Sequence, residues 1–108
     1  MKGVHLRLYT CESRRHAGLP VYEWLLETAK KTGIPGGSVF RAMAGYGRHG
    51  RLHEQAFFEL AGEEPVLVEF ILDHNQADQL LQLLREEKLE LFFARIPAEY
   101  GSTAGDAE

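Results

Sequence analysis

Apolar and polar residues alternate from the start of the chain. Val4, Leu6 and Leu8 fall between His5, Arg7 and Tyr9, the period-two pattern of a strand with one buried face. Glu12 to Gly18 shows no period and reads as a loop. Pro20 then suits a first helical position, where the missing N–H has no partner to lose, and Val21, Trp24, Leu25, Thr28 and Ala29 share one face at helical spacing. Gly33 and Pro35 end that helix. Ser38 to Ala44 reads as a second strand and Val66 to Leu72 as a third. Asp73 or Asn75 caps a second helix, whose inner face is Ala77, Leu80, Leu81 and Leu84. The last strand runs from Leu89 to Ile96 and is closed by Pro97.

The element order is therefore βαββαβ. Right-handed crossovers fold it into an α+β ferredoxin-like plait, one antiparallel sheet with both helices on one face and the first strand between the third and the fourth. The other sheet face then carries His5, Tyr9 and Cys11 beside Leu67, Ile71 and Phe92, with Arg7, Glu69 and Glu90 placed to pair with one another. So apolar a face calls for a cover. Self-association is the simplest one, and a closed symmetric ring its usual form.

Composition adds bounds rather than detail. The 108 residues are enough for one domain, and 44% hydrophobic with 26% charged residues are ordinary globular values. We expect a folded domain over residues 1–98 and a tail over 99–108, whose end, Gly101 to Glu108, has nothing to bury and is expected to be mobile. No apolar run approaches the ~18 residues of a spanning helix, so no membrane insertion is expected. The first residues enter the strand pattern without a signal-peptide core, and the lone Cys11 can form no internal disulfide; both point to a cytoplasmic protein.

Charge changes the picture more. The chain has a formal net charge of −4, yet from Thr28 to His53 there is no Asp or Glu, while Lys30, Lys31, Arg41, Arg48 and Arg51 are all basic. Within that stretch, Gly45, Gly47 and Gly50 alternate with Arg48, His49 and Arg51, a composition that disfavours regular structure. Glycine lets backbone N–H groups approach a ligand, and arginine forks match phosphate or carboxylate oxygens two at a time. The segment 45–54 reads as an anion site, with a solvated turn as the competing reading. Arg14 and Arg15, leaving the first strand, and Arg41, near the loop root, can add to the grip.

The motifs Gly45-Tyr46-Gly47-Arg48 and His53-Glu54 resemble the root of the T-loop in PII signalling proteins. A small PII-like branch known only as a domain of unknown function is more similar still, at Tyr9-Thr10-Cys11-Glu12-Ser13, Gly18-Leu19-Pro20-Val21-Tyr22-Glu23, Gly45-Tyr46-Gly47 and Pro65-Val66-Leu67-Val68-Glu69. The resemblance covers about Val4 to Ile96. It implies a homotrimeric regulatory protein that binds an adenine nucleotide as effector in the clefts between subunits, with Gly45, Gly47, Arg48 and His49 among the contacts. A regulated transporter or enzyme would receive the signal. Two departures matter. No tyrosine follows Tyr46 before the third strand, so the modification site of nitrogen-regulating PII proteins is missing. Arg85-Glu86-Glu87-Lys88-Leu89 contains no glycine where those proteins place a phosphate loop, which favours AMP or ADP over ATP.

Other chemistries have less to stand on. His49 and His53, with His16 as a third ligand, give an alternative divalent-metal site in a trimer of the same fold, but Gly47 and Gly50 oppose the helix that their spacing would need. A purely structural adaptor is the remaining alternative. Nucleic acid is not expected as a partner, because the chain is acidic overall and Arg48, Leu52 and His53 stand where an RNA-recognition motif would need aromatics. No nucleophile and base can be paired, and Glu12, Glu54, Glu63 and Glu64 read as surface carboxylates, so we expect a binding protein without cofactor rather than an enzyme.

Overall fold

The computed structural model describes residues 1–46 and 64–105. Its elements are β1 (Lys2–Cys11), a small hairpin of β2 (Arg15–His16) and β3 (Leu19–Pro20), α1 (Val21–Lys31), β4 (Gly37–Arg41), β5 (Pro65–Leu72), α2 (His74–Glu86) and β6 (Phe92–Glu99). Four strands make one antiparallel sheet in the order β4-β5-β1-β6, with both helices on one face. This is the α+β arrangement of a ferredoxin-like plait.

Strand alternation decides which face the helices cover. Val4, Leu6 and Leu8 of β1 stand opposite Leu72, Phe70 and Val68 of β5, and all six are buried against Val21, Leu25 and Ala29 of α1 and Ala77, Leu80, Leu81 and Leu84 of α2. The helices are stopped by backbone hydrogen bonds as well as by sequence. In α1, Gly33 has φ +90°, and the N–H groups of Gly33 and Ile34 donate to Lys30 O and Ala29 O, a Schellman closure that buries Ile34. The same closure ends α2, where the N–H groups of Lys88 and Leu89 donate to Arg85 O and Leu84 O. Here the left-handed position is Lys88 at φ 58°. A side chain there costs roughly 1 kcal/mol, so Lys88→Gly is expected to raise stability by up to about that amount in urea unfolding.

Asp73, rather than Asn75, caps α2: its Oδ1 accepts from the Gln76 N–H at 2.7 Å, while Gln76 Oε1 accepts from the Asp73 N–H at 3.0 Å. That reciprocal box is worth about 1 kcal/mol, the loss expected for Asp73→Ala in thermal unfolding.

The structure departs from expectation at several boundaries. β4 spans Gly37–Arg41, shorter than the expected 38–44. Pro20 is the N-cap of α1 and a residue of β3, not the first helical residue. The expected loop 12–18 contains β2 and a tight turn, with Ala17 at φ 53° and Gly18 at φ 83°, the pair of positive values that a two-residue hairpin turn needs. The last strand begins at Phe92 and continues through Pro97 to Glu99. Its position at the sheet edge lets a proline fit without breaking a ladder. Beyond the end of β6 at Glu99, the Tyr100 N–H donates to Met1 O at 2.9 Å.

The open sheet face presents His5, Arg7 and Tyr9 of β1, Leu67, Glu69 and Ile71 of β5, Phe40 of β4, and Phe92, Ala94 and Ile96 of β6. Phe40 is 50% exposed, Ile96 40%, and Ile71 and Phe92 38% each. The expected pairing of Arg7, Glu69 and Glu90 is not what forms. Glu69 turns to His5, with Oε1 2.8 Å from Nε2, and Glu90 lies before β6 begins.

Candidate functional site

The antiparallel register brings the candidate residues to one end of the sheet. Cys11 at the end of β1 stands opposite Pro65 at the start of β5, Arg41 at the end of β4 opposite Val66, and Tyr9 opposite Phe92 at the start of β6. The loop that leaves β4 is tied at its root, where the Ala42 N–H donates to Pro65 O at 2.9 Å and the Glu12 N–H to Glu64 O at 3.0 Å. Gly45 lies beside this root. A Cβ built on it would meet Pro65 Cγ at 3.7 Å, an ordinary contact, and its φ is not left-handed. Its own backbone therefore does not require glycine.

Arg41 does not stand alone. Its Nη2 bonds Glu12 Oε2, and its Nε lies 3.5 Å from Glu64 Oε1. The Arg41 side chain is still 59% exposed, so the two carboxylates orient it without enclosing it. The basic stretch of the sequence thus receives acids from two other elements. Such exposed pairs contribute little to stability, about 0–1 kcal/mol each. Their consequence is that two carboxylates face the one guanidinium at the loop root.

Arg14 and His16 reach the turn between α2 and β6. Arg14 Nη1 donates to Glu90 O at 2.7 Å, and His16 Nε2 lies 3.0 Å from Glu87 Oε1, with its ring edge-on to Trp24 at 4.8 Å. Arg15 folds back on its own hairpin, donating from Nη2 to Gly18 O at 2.9 Å. Arg41, Arg14 and Gly45 therefore share the sheet end, Arg15 is turned to the hairpin, and His16 is held by a carboxylate. Gly47, Arg48, His49, Arg51 and His53 lie outside the described residues. Among the described residues no three His, Cys, Asp or Glu side chains gather to hold a metal. Neither is any helix among them long and apolar enough to cross a membrane.

Sequence reasoning passed over Glu12 and Glu64 as surface carboxylates. The signal for them was indirect: pairing the end of the first strand with the start of the third would have put both beside Arg41.

The sequence model of the DUF190 family, described as an uncharacterized ACR, matches residues 3–92. The chain belongs to the DUF190 family. Its relatives include a UPF0166 protein of Aquifex aeolicus, 38% identical over 80 residues that cover 74% of this chain and 76% of that one. A UPF0166 protein of Methanocaldococcus jannaschii is 28% identical over 86 residues, 80% of this chain and 79% of its own. The DUF190 match takes in β1, the hairpin, both helices and the loop root, and ends at the first residue of β6.

Proposed function

We propose that this DUF190 chain is a PII-like regulatory protein, a cytoplasmic homotrimer that binds an adenine nucleotide in the clefts between subunits near loop 45–54. The observation that carries the reading is the placement of Arg41, Arg14 and Gly45 at the same end of the sheet, beside an open apolar sheet face that a neighbouring subunit can cover. In this reading Gly45 and Gly47 admit the ligand to the backbone, Arg48 with Arg51 and His49 holds its phosphate, and Arg41 adds to the grip from the end of β4. The nucleotide acts as an effector, not a cofactor, and the chain itself performs no reaction. Its bound form is what a regulated transporter or enzyme reads.

The turn between α2 and β6 supports AMP or ADP over ATP. The N–H groups of Glu87, Lys88 and Leu89 already donate to Leu83, Arg85 and Leu84 O, so this turn has none of those amides left for a longer phosphate chain. Arg14 and His16 also cover it.

The reading is tested with purified protein and AMP, ADP, ATP, inorganic phosphate and divalent metals. AMP or ADP is expected to raise the unfolding temperature, since a ligand at a hundred times its dissociation constant adds about 2.7 kcal/mol. Sedimentation is expected to give about three times the chain mass of 12.2 kDa. Arg48→Ala should weaken nucleotide binding by about 2 kcal/mol, roughly thirtyfold, with the fold intact. Stabilisation by a metal but by no nucleotide would replace this reading with the metal-binding one, and a monomer would remove the cleft altogether.

A further inference from the structure

At the middle of the open sheet face stands a cation that no carboxylate pairs with among the described residues. Arg7 lies on β1 with strands on both sides, directly opposite Glu69 on β5 and Ala94 on β6. Its guanidinium carbon sits 5.8 Å from the centroid of the Tyr9 ring, and Tyr9 in turn packs on Phe92 at 5.5 Å between centroids. The Nε of Arg7 is buried with no hydrogen-bond partner, and the side chain forms no ion pair among the described residues. Glu69 could take it. Instead that carboxylate gives Oε1 to His5, and no hydrogen bond engages its other oxygen among the described residues.

Covering this face would be costly if the cover were wholly apolar, because a guanidinium sealed without an acceptor keeps its full desolvation cost. The cover must therefore bring an acceptor to Arg7. It must also bring a donor to Glu69, whose second oxygen would be sealed in the same way. A second copy of this chain brings both, since each copy carries, among its described residues, a guanidinium without an acceptor and a half-engaged carboxylate on the same face. We propose that Arg7 of one subunit pairs with Glu69 of its neighbour, and that this pair sets the register of the assembly while Phe40, Ile71, Phe92 and Ile96 supply its apolar area. The inference rests on the self-association proposed above. It adds what selects one copy-to-copy arrangement from the many that a flat apolar face would allow.

Charge reversal tests it. Arg7→Glu and Glu69→Arg are each expected to raise the dissociation constant of the assembly roughly thirtyfold or more in sedimentation, with the circular dichroism of a folded chain. Mixing the two variants is expected to recover mixed oligomers, visible in native mass spectrometry with one variant isotopically heavy. Where unlike chains meet, the carboxylate introduced at position 7 of one faces the guanidinium introduced at position 69 of the other, and the charges are again of opposite sign. A pair formed within one chain would gain nothing from mixing. Should either reversal fail to fold, Arg7→Met replaces it: the pairing requires weaker association, since Glu69 of the neighbour is left sealed and alone, whereas a solvated Arg7 requires equal or tighter association. An assembled wild type with undiminished Arg7→Glu association, or with no rescue on mixing, overturns the pairing and leaves self-association standing. A monomeric wild type removes self-association itself.

Discussion

Phe70→Ala is expected to cost about 3–5 kcal/mol of unfolding free energy, a large part of the roughly 5–15 kcal/mol that holds a domain of this size together. Phe70 is 1% exposed on β5, and its ring lies over Gly37 of β4. A Cβ built on Gly37 would fall 2.4 Å from Phe70 Cε1 and 3.2 Å from Leu26 Cδ2, so the ring occupies the space a side chain on β4 would need. Removing it leaves a cavity floored by a hydrogen-bonded sheet, which cannot collapse into the gap as loose side chains can. Urea unfolding at one fixed protomer concentration should show a lower midpoint with unchanged slope, and heating a drop of more than about 12 °C. The contact itself is tested by Gly37→Ala. That change should be harmful beside Phe70 but tolerated beside Phe70→Leu, a coupling above about 0.5 kcal/mol. A loss under ~1 kcal/mol for Phe70→Ala would mean that the ring does not fill this space.

The parts of the fold that alternate cleanly were legible. Val4, Leu6 and Leu8 give both the buried face of β1 and, by their register with Leu72, Phe70 and Val68, the centre of the sheet. The helices were equally clear in their apolar faces, and Gly33 marked the end of the first, whereas the start of the second stayed open between Asp73 and Asn75 until the box of Asp73 with Gln76 decided it. The last strand was harder. Phe92, Phe93 and Ile96 are apolar on both faces, so no alternation marked its start, and Pro97 looked like a stop although an edge strand accepts it. The hairpin at 15–20 was hidden for a local reason: Ala17 takes a left-handed φ that glycine, asparagine or aspartate would have advertised.

The site was legible only as composition. Three glycines among arginines raised the expectation of an anion site, and most of them lie outside the described residues; the groups that meet Arg41 and Arg14 come from Glu12, Glu64 and Glu90, joined to them by sheet register rather than by sequence. An arginine that looks unpaired along the chain meets two carboxylates in space at the loop root. On the open face, Arg7 and Glu69 were expected to pair and are each diverted by a neighbour on β1, Tyr9 for the one and His5 for the other. Register placed the residues opposite each other, and side-chain competition decided their partners.

Phe40→Glu should separate assembly from ligand chemistry. Phe40 is 50% exposed on the open face, opposite Leu67 and one residue from Arg41, so it belongs both to the surface that self-association would bury and to the neighbourhood of the loop root. In an isolated chain the change should cost under ~1 kcal/mol, because an exposed edge-strand position tolerates a carboxylate. In an assembly every copy would carry the charge into an apolar contact. Losing a buried aromatic anchor typically costs at least about 2 kcal/mol, roughly thirtyfold in association. If the nucleotide lies between subunits, its binding should fall together with assembly, although no residue proposed to hold phosphate has changed. Arg48→Ala should do the reverse, sparing assembly and losing the nucleotide. Sedimentation and titration calorimetry on the same preparations read both quantities. A monomeric Phe40→Glu that still binds AMP or ADP with the affinity of the wild type would place the whole site within one subunit, and the cleft between subunits would have no part in it.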